Sequence, residues 1–277
     1  MPKQRPALAP WRRAGRVSED QQSADDVIRR VGWVFSRDSG THTSLGDFVK
    51  TGDDDIDWYG PRLGLYWPTN GADKSMVEIG AGIGRMTASL TRHYASVVAC
   101  DLDAAFLERC RETVEAFGEP TKLQTVHVAD ARTVNLPDAS ADVVISYLTL
   151  QHCNPDDALC LVAEAIRIAK PGGRVALQFR AWGGIDPLLV PVSKVIRGVW
   201  RVSPKTAKAP RLITRAGWQA NRLTPDDVIA AVRRQLPEPA SIEVMQSDQR
   251  RGTLVTSVPV MRLARTHPSH WWLRVVP

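Results

Sequence analysis

The sequence predicts an α/β fold with a mostly parallel sheet covered by helices on both faces. Three observations carry this. From residue 76 onward, short apolar runs rich in β-branched residues alternate with stretches of helical period. The runs are almost continuously apolar, as strands buried on both faces require. The first run, MVEI (76–79), enters a glycine-rich turn, GAGIG (80–84), and a helical stretch follows. Of the 277 residues, 43% are hydrophobic and 24% charged, which is enough apolar material for a substantial core. No apolar run approaches the roughly 20 residues that cross a bilayer.

Taken in order, residues 1–22 read as a disordered basic tail, with Lys3, Arg5, Arg12, Arg13 and Arg16 and no apolar stretch of a signal peptide. Residues 23–277 read as a single domain. Its N-terminal cap, 23–75, opens with a helix: Ser23 stands as N-cap, Asp26 as N3, and Val27, Ile28, Val31 and Val34 recur at helical spacing. Short helices and loops carrying Phe48, Trp58, Tyr59, Tyr66 and Trp67 follow. The core, 76–180, contains the strands MVEI, VVAC (97–100), LQTVHV (123–128), DVVISYL (142–148) and VALQF (175–179). Helices are expected at 85–94, 103–117 and 155–170. Asn154 is placed to cap the last, Pro155 suits its first position, and Pro171-Gly172-Gly173 stops it. Residues 181–222 interrupt the alternation as an insertion, in which 186–202 is apolar with interleaved bases. Thr224 and Asp227 open another helix, and SIEVM (241–245) with TLVTSVPV (253–260) closes the sheet as a final strand pair.

The glycine turn is spaced G-x-G-x-G, not the G-x-G-x-x-G that seats a pyrophosphate on a helix N-terminus. Glu78, just before the turn, would oppose a pyrophosphate but attract an amine or a sulfonium. Asp101 ends the next strand, where a carboxylate can take both hydroxyls of a ribose. Asp130 follows the third strand, where it can accept from an adenine amino group. All three acids fall at carboxyl ends of neighbouring strands, where open α/β sheets bind ligands. Plainer readings stand beside these: a tight strand–helix turn for the glycines, a surface turn residue for Asp130, and a helix N-cap for Asp103.

As a set, E-x-G-x-G-x-G (78–84), VACDLD (98–103), VADA (128–131), ADVVISYLTLQH (141–152) and AKPGGRVAL (169–177) resemble the class I S-adenosylmethionine-dependent methyltransferases over about 76–180. The resemblance implies a Rossmann-like three-layer sandwich. Its sheet would have seven strands in the order 3-2-1-4-5-7-6, with strand 7 antiparallel. It implies S-adenosyl-L-methionine as cofactor. The methionine part would lie against Gly80, Ala81, Gly82 and Gly84, with Arg85 beside them. Asp101 would hold the ribose, Asp130 and Ala131 the adenine, and Leu102 would lie against the adenine face. Ser146 and Tyr147 would border the sulfonium. An entry segment resembling FVKTGDDDIDWYG (48–60) in a subset of these enzymes implies that Phe48, Gly52 and Tyr59 cover the donor.

A hydroxyl acceptor must lose its proton on methylation, and a histidine suits that task. His152, just past the fourth strand, is the candidate catalytic base; a packing or loop-orienting role is the alternative. His42 lies in a Gly/Thr/Ser loop that can fold over the pocket, His93 and His127 read as structural, and His267 and His270 fall in the C-terminal tail. Asp53–Asp55 suit a divalent cation or an acid-rich helix start; no metal is expected. The proline pair that follows strand 4 in many base-amine methyltransferases is absent from ISYLTL, and Cys153 lacks the preceding proline of a C5 nucleophile. In 181–222, Trp182, Trp200 and Trp218 suit a sugar or aromatic ring. Lys194, Arg197, Arg201, Lys205, Lys208 and Arg211 suit a phosphate or lipid surface, or form the solvated face of a lid helix. The net charge of +6 admits nucleic acid without requiring it. The four cysteines, none in a C-x-x-C pair, read as reduced thiols of a cytoplasmic protein. The leading expectation is O-methylation of a small molecule or glycan, such as a sugar hydroxyl in a secondary metabolite or cell-envelope glycolipid, with possible peripheral membrane contact through 186–211. N-methylation of a natural product or protein, RNA methylation, and donor binding without catalysis are the alternatives. Oligomeric state stays open.

Overall fold

A computed structural model describes residues 8–35, 43–184, 186–203, 221–247, 254–263 and 269–277. His42, Lys205, Lys208, Arg211, Trp218 and His267 lie outside the described residues. One eight-stranded sheet organises the chain: β1 Ser75–Ile79, β2 Ser96–Asp101, β3 Leu123–His127, β4 Ala141–Ser146, β5 Ala169–Arg180, β6 Ser241–Ser247, β7 Val260–Leu263 and β8 His270–Val276. Its order is β3-β2-β1-β4-β5-β8-β6-β7. The first five strands pair in parallel; β8 runs antiparallel between β5 and β6.

The end of the sheet differs from expectation. The antiparallel strand is 270–276, expected to be tail, and not 253–260. Two features explain this. Trp271, Trp272, Leu273 and Val275 are fully buried, so this strand supplies a large share of the core between β5 and β6. Among the described residues of the expected strand, only Val260 enters β7, a four-residue edge strand parallel to β6, which raises the strand count to eight.

Successive residues of the central strands face opposite layers. On one face, Val77, Ile79, Val144, Val175 and Leu177 pack beneath α6 (Pro155–Ile168) and α8 (Pro225–Gln235). On the other, Met76, Val143, Ile145 and Ala176 pack beneath α3 (Leu45–Leu63), joined by Leu90 of α4 (Thr87–His93). Next to α4, α5 (Ala104–Phe117) buries Cys110 and Val114 against Ala99 of β2. The capping box expected at Thr224 and Asp227 is present, and Ser23 accepts from the Asp26 N–H at the start of α2 (Ala24–Phe35). Asn154 does not cap α6 through its side-chain oxygen; its amide donates to Asp157 instead.

Two N-terminal expectations are corrected. The supposed disordered tail is helical over Ala9–Asp20 (α1), because Ala9 and Ala14 are buried and Trp11 meets the rings of Phe35 and Phe106. Tertiary burial here overrides a polar composition. Between 45 and 63 there is one helix of 19 residues, α3, where short pieces were expected. Ser44 and Asp47 form its capping box, and Gly64 ends it in the left-handed conformation at φ 68°. Asp53 and Asp55 are therefore mid-helix residues, not an acid-rich helix start; they pair with Arg92 and Arg85.

Candidate donor and acceptor site

The site grows from β1. Its last residues are apolar except Glu78, which is 5% exposed and accepts a hydrogen bond from the Thr87 hydroxyl at 2.6 Å. The chain then turns through Gly80, Gly82 and Gly84, all at positive φ (84°, 57° and 92°). The N–H groups of Gly80 and Ala81 donate to the Cys100 carbonyl, stitching the turn to β2. The turn is crowded from outside: a Cβ on Gly80 would stand 2.1 Å from Thr149. Ala81 itself is buried against Val49, Ala88, Ala99 and Cys110.

Asp101 ends β2 and faces this turn. One oxygen accepts from the Gly82 N–H at 2.9 Å, the other from the Asp103 N–H at 2.9 Å. Burial raises the Asp101 carboxyl to about 6 and the Glu78 carboxyl to about 7. Neither carboxylate has an ion-pair partner among the described residues. Asp103 caps α5 by accepting from the Ala105 N–H. Leu102 is half-buried, and its carbonyl lies 3.0 Å from His127 Nε2.

The remaining expected residues divide. Ser146 is fully buried and donates to the Ile79 carbonyl, so it ties β4 to the end of β1. Tyr147 stacks on Trp272 at 5.5 Å and meets Tyr59 at 5.4 Å, with the Arg85 guanidinium 5.4 Å from its ring centre. Arg85 is held by α3, at 2.7 Å from Asp55 and 3.2 Å from Thr51. Glu78, the glycine turn, Asp101, Ser146 and Tyr147 thus gather at the carboxyl ends of β1, β2 and β4. Asp130 stands apart, exposed. One of its oxygens accepts from the backbone N–H groups of Arg132 and Thr133. Burial raises its carboxyl, but those bonds, with one from the Thr133 side chain, together outweigh it and hold the carboxyl below the usual range. Ala131 beside it has φ 59°.

His152 ends a 3₁₀ turn, Leu150–His152, that follows β4. Its ring lies 5.0 Å from that of Trp11, so α1 reaches the site. Phe48 is buried beside Ile83 of the turn, Gly52 abuts the Arg85 carbonyl, and Tyr59 joins the Tyr147–Trp272 pair. Sequence reasoning missed four contributors. Thr87 and Thr149 sit on the turn without any periodic signal. Trp11 was assigned to the tail. Phe35, 3.5 Å from where a Gly82 Cβ would be, ends α2 in a stretch read only for its aliphatic spacing.

A glycine cradle between the buried Glu78 and the half-buried Asp101, at the carboxyl edge of a parallel sheet, suits a cationic nucleoside. Residues 77–177 match the methyltransferase domain family. The carboxy-S-adenosyl-L-methionine synthase of Pseudomonas putida is 37% identical over 109 residues, 38% of this chain and 44% of its own length. That of Aliivibrio salmonicida is 34% identical over 108 residues, 38% and 43% of the two chains. The chain thus aligns with less than half the length of these relatives. An O-methyltransferase family protein from Burkholderia thailandensis superposes with a TM-score of 0.52 at 16% identity, over 84% of this chain and 57% of that one. A chain from the complex of the Haloferax volcanii Trm112 methyltransferase activator with its methyltransferase gives 0.50 at 17% identity, over 84% and 95%. At these identities the two structures speak to fold alone. Residues 77–177 are thus similar to the S-adenosylmethionine-dependent methyltransferases, and S-adenosyl-L-methionine is the cofactor that this similarity implies. The site fits that molecule: Glu78 and Asp101, without ion-pair partners among the described residues, suit its ammonium, sulfonium and ribose hydroxyls, and the three glycines of the turn permit close backbone approach.

No helix among the described residues is long and apolar enough to cross a membrane.

Proposed function

We propose that the protein transfers a methyl group to a hydroxyl of a small molecule or glycan, with a sugar hydroxyl of a secondary metabolite or cell-envelope glycolipid as the leading acceptor. The bound donor supplies an electrophilic methyl on a sulfonium. Glu78 and the Gly80–Gly84 turn, with Arg85 beside it, hold its methionine part. Asp101 takes the ribose hydroxyls, Leu102, Asp130 and Ala131 border the adenine, and Ser146 and Tyr147 line the reacting end. His152 accepts the acceptor's proton. The observation that carries this reading is the position of His152: it closes the turn directly after β4, at the same sheet edge as the donor carboxylates, beneath the Trp11 ring. The lipid-surface contact is supported by α7 (Asp186–Val202). It buries Asp186, Ser193 and Trp200 and turns Leu188, Val192, Val195, Val199 and Val202 outward at helical spacing. The reading places the protein in the cytoplasm, in keeping with four free cysteines.

The experiment is incubation of the full chain with labelled donor and fractionated extract, then repetition with His152→Ala. Turnover is expected to fall about 10²–10⁴-fold while donor affinity stays within a factor of about two; near-normal turnover would remove His152 from the chemistry. A second reading is favoured by the identity to the two synthases over the shared donor-binding core. In it, a second substrate gives up a carboxyl group to the donor's methyl carbon and takes the proton that carbon loses, so the product is a carboxylated donor and no acceptor takes up label. Mass spectrometry of the spent donor separates the two.

Donor binding carries a pH signature. The Glu78 carboxyl sits near 7, against an ordinary value near 4.5, so the free protein holds a proton there below neutrality. A cationic ligand selects the ionised form. Donor affinity is therefore expected to rise with pH, by at most about tenfold per unit below 7, and to flatten above it. Over the same window the free protein binds more protons than the unfolded chain, so its own stability declines as pH rises. Calorimetry in buffers of different ionisation enthalpy should detect proton release in the wild type and less in Glu78→Gln.

A further inference from the structure

Beside the turn that carries His152 there is a second polar site. Arg180 ends β5, Arg197 lies on α7, and Arg222 lies two residues before the helix cap at Thr224. Arg222 and Arg180 are largely buried, with side chains 9% and 20% exposed; burial disfavours both protonated forms, and at Arg180 the Arg222 charge adds to it. Among the described residues one acid pairs with them. Asp186, 1% exposed, lies 3.5 Å from Arg222 Nε and 3.9 Å from Arg180 Nη2. One of its oxygens already accepts from the Gly183 N–H at 2.6 Å. The Nε atoms of both arginines are buried without a hydrogen-bond partner among the described residues. Two buried guanidiniums against one carboxylate leave a positive excess in a desolvated place, which is costly unless an anion completes it.

A cavity of about 180 Å³ opens here, lined by Trp182, Ser193, Lys194, Arg197, Asn221 and Arg222. Asp227 also reaches its wall, but its carboxylate is engaged by the Thr224 cap. Asn221 donates from its side chain to the carbonyls of Leu150 and Cys153, and from its backbone to Gln151, so the cavity is fastened to the His152 turn. The charge of the surrounding sequence has the same sign. From 180 to 222 there are nine basic residues and a single acid, Asp186, whereas the whole chain is only +6. The remainder of the protein is therefore slightly acidic.

We propose that this cavity is a subsite for an anionic group on the methyl acceptor, a phosphate or a carboxylate, gripped by Arg222 with Arg197 and Lys194 and backed by Arg180. It rests on the methyl-transfer reading and narrows the acceptor to an anion. The anion would be anchored beside His152 while the reacting hydroxyl reaches the donor. Arginine forks suit such bidentate recognition.

The test titrates inorganic phosphate into the full chain at constant ionic strength, with chloride as reference. Saturable binding is expected, weakened about tenfold or more in Arg222→Gln and about threefold in Lys194→Glu, an exposed position where folding is not at stake. Asp101→Asn should leave phosphate binding unchanged. Equal affinity in both cavity variants, or no saturable binding, would overturn the proposal. Vesicles of phosphatidylcholine with and without phosphatidic acid distinguish the source. Phosphate-sensitive binding to the acidic vesicles alone points to a lipid headgroup. Binding of free phosphate without vesicle binding points to a soluble acceptor, and either result upholds the subsite. Loss of methyl transfer in every extract, with phosphate binding intact, would sink the methyl-transfer reading and spare the cavity.

Discussion

Asp101→Asn is expected to weaken donor binding about 100-fold while leaving the fold intact. The carboxylate accepts from two backbone N–H groups, Gly82 and Asp103, and so holds the glycine turn against the end of β2. An asparagine has one oxygen. It can satisfy one of these donors and must present its own NH₂ to the other. Free-protein stability changes little, because the substitution also removes a carboxylate whose ionisation burial already disfavours. Donor affinity has no such compensation. Charge-assisted hydrogen bonds to ligand hydroxyls contribute about 1.5–3 kcal/mol each, and asparagine, which keeps one oxygen, loses one of the two. Calorimetric titration with S-adenosylmethionine and its demethylated product measures the loss, and circular dichroism checks the fold. Unchanged affinity for both would detach Asp101 from the donor.

Gly52→Ala is expected to destabilise the protein by about 3 kcal/mol, against the intrinsic trend. Within a helix, alanine is favoured over glycine by about 1 kcal/mol. At Gly52 the added Cβ would lie 2.1 Å from the Arg85 carbonyl oxygen and 2.7 Å from its carbonyl carbon. These are backbone atoms of the segment leaving the glycine turn, and no rotamer change relieves the overlap. Either α3 lifts or the turn shifts. Both break contacts around the donor site, including the Arg85–Asp55 pair. For a domain of this size the melting temperature should fall by about 5–10 °C, and donor affinity should fall with it. A melting temperature equal to or above wild type would mean that α3 does not bear on the turn.

The position of this site was legible because strand period, glycine spacing and acids at strand ends are local properties. Glu78, the glycine turn and Asp101 follow one another on β1 and β2, and neighbouring parallel strands carry their ends to one edge. Other parts depend on partners far along the chain. Trp11 reaches His152 across more than a hundred residues, and no local pattern distinguishes a helix held by such burial from a polar tail. Gly52 reads as a helix-weakening residue until the Arg85 carbonyl stands against it. The antiparallel strand went to 270–276 because Trp271 and Trp272 bury more apolar surface than any residue of 254–260, and sheet order is settled by total burial.

The sequence by itself determined the layered α/β class, the strands β1–β4, and the turn with its two carboxylates, since each follows from backbone preference and hydrophobic period over a few residues. Tertiary structure alone decided which aromatics cover the turn, that Asp130 stands exposed in a turn of its own, and that Arg180 and Arg222 share one acid. Those outcomes depend on distances between segments far apart in the chain, and a linear pattern carries no information about them.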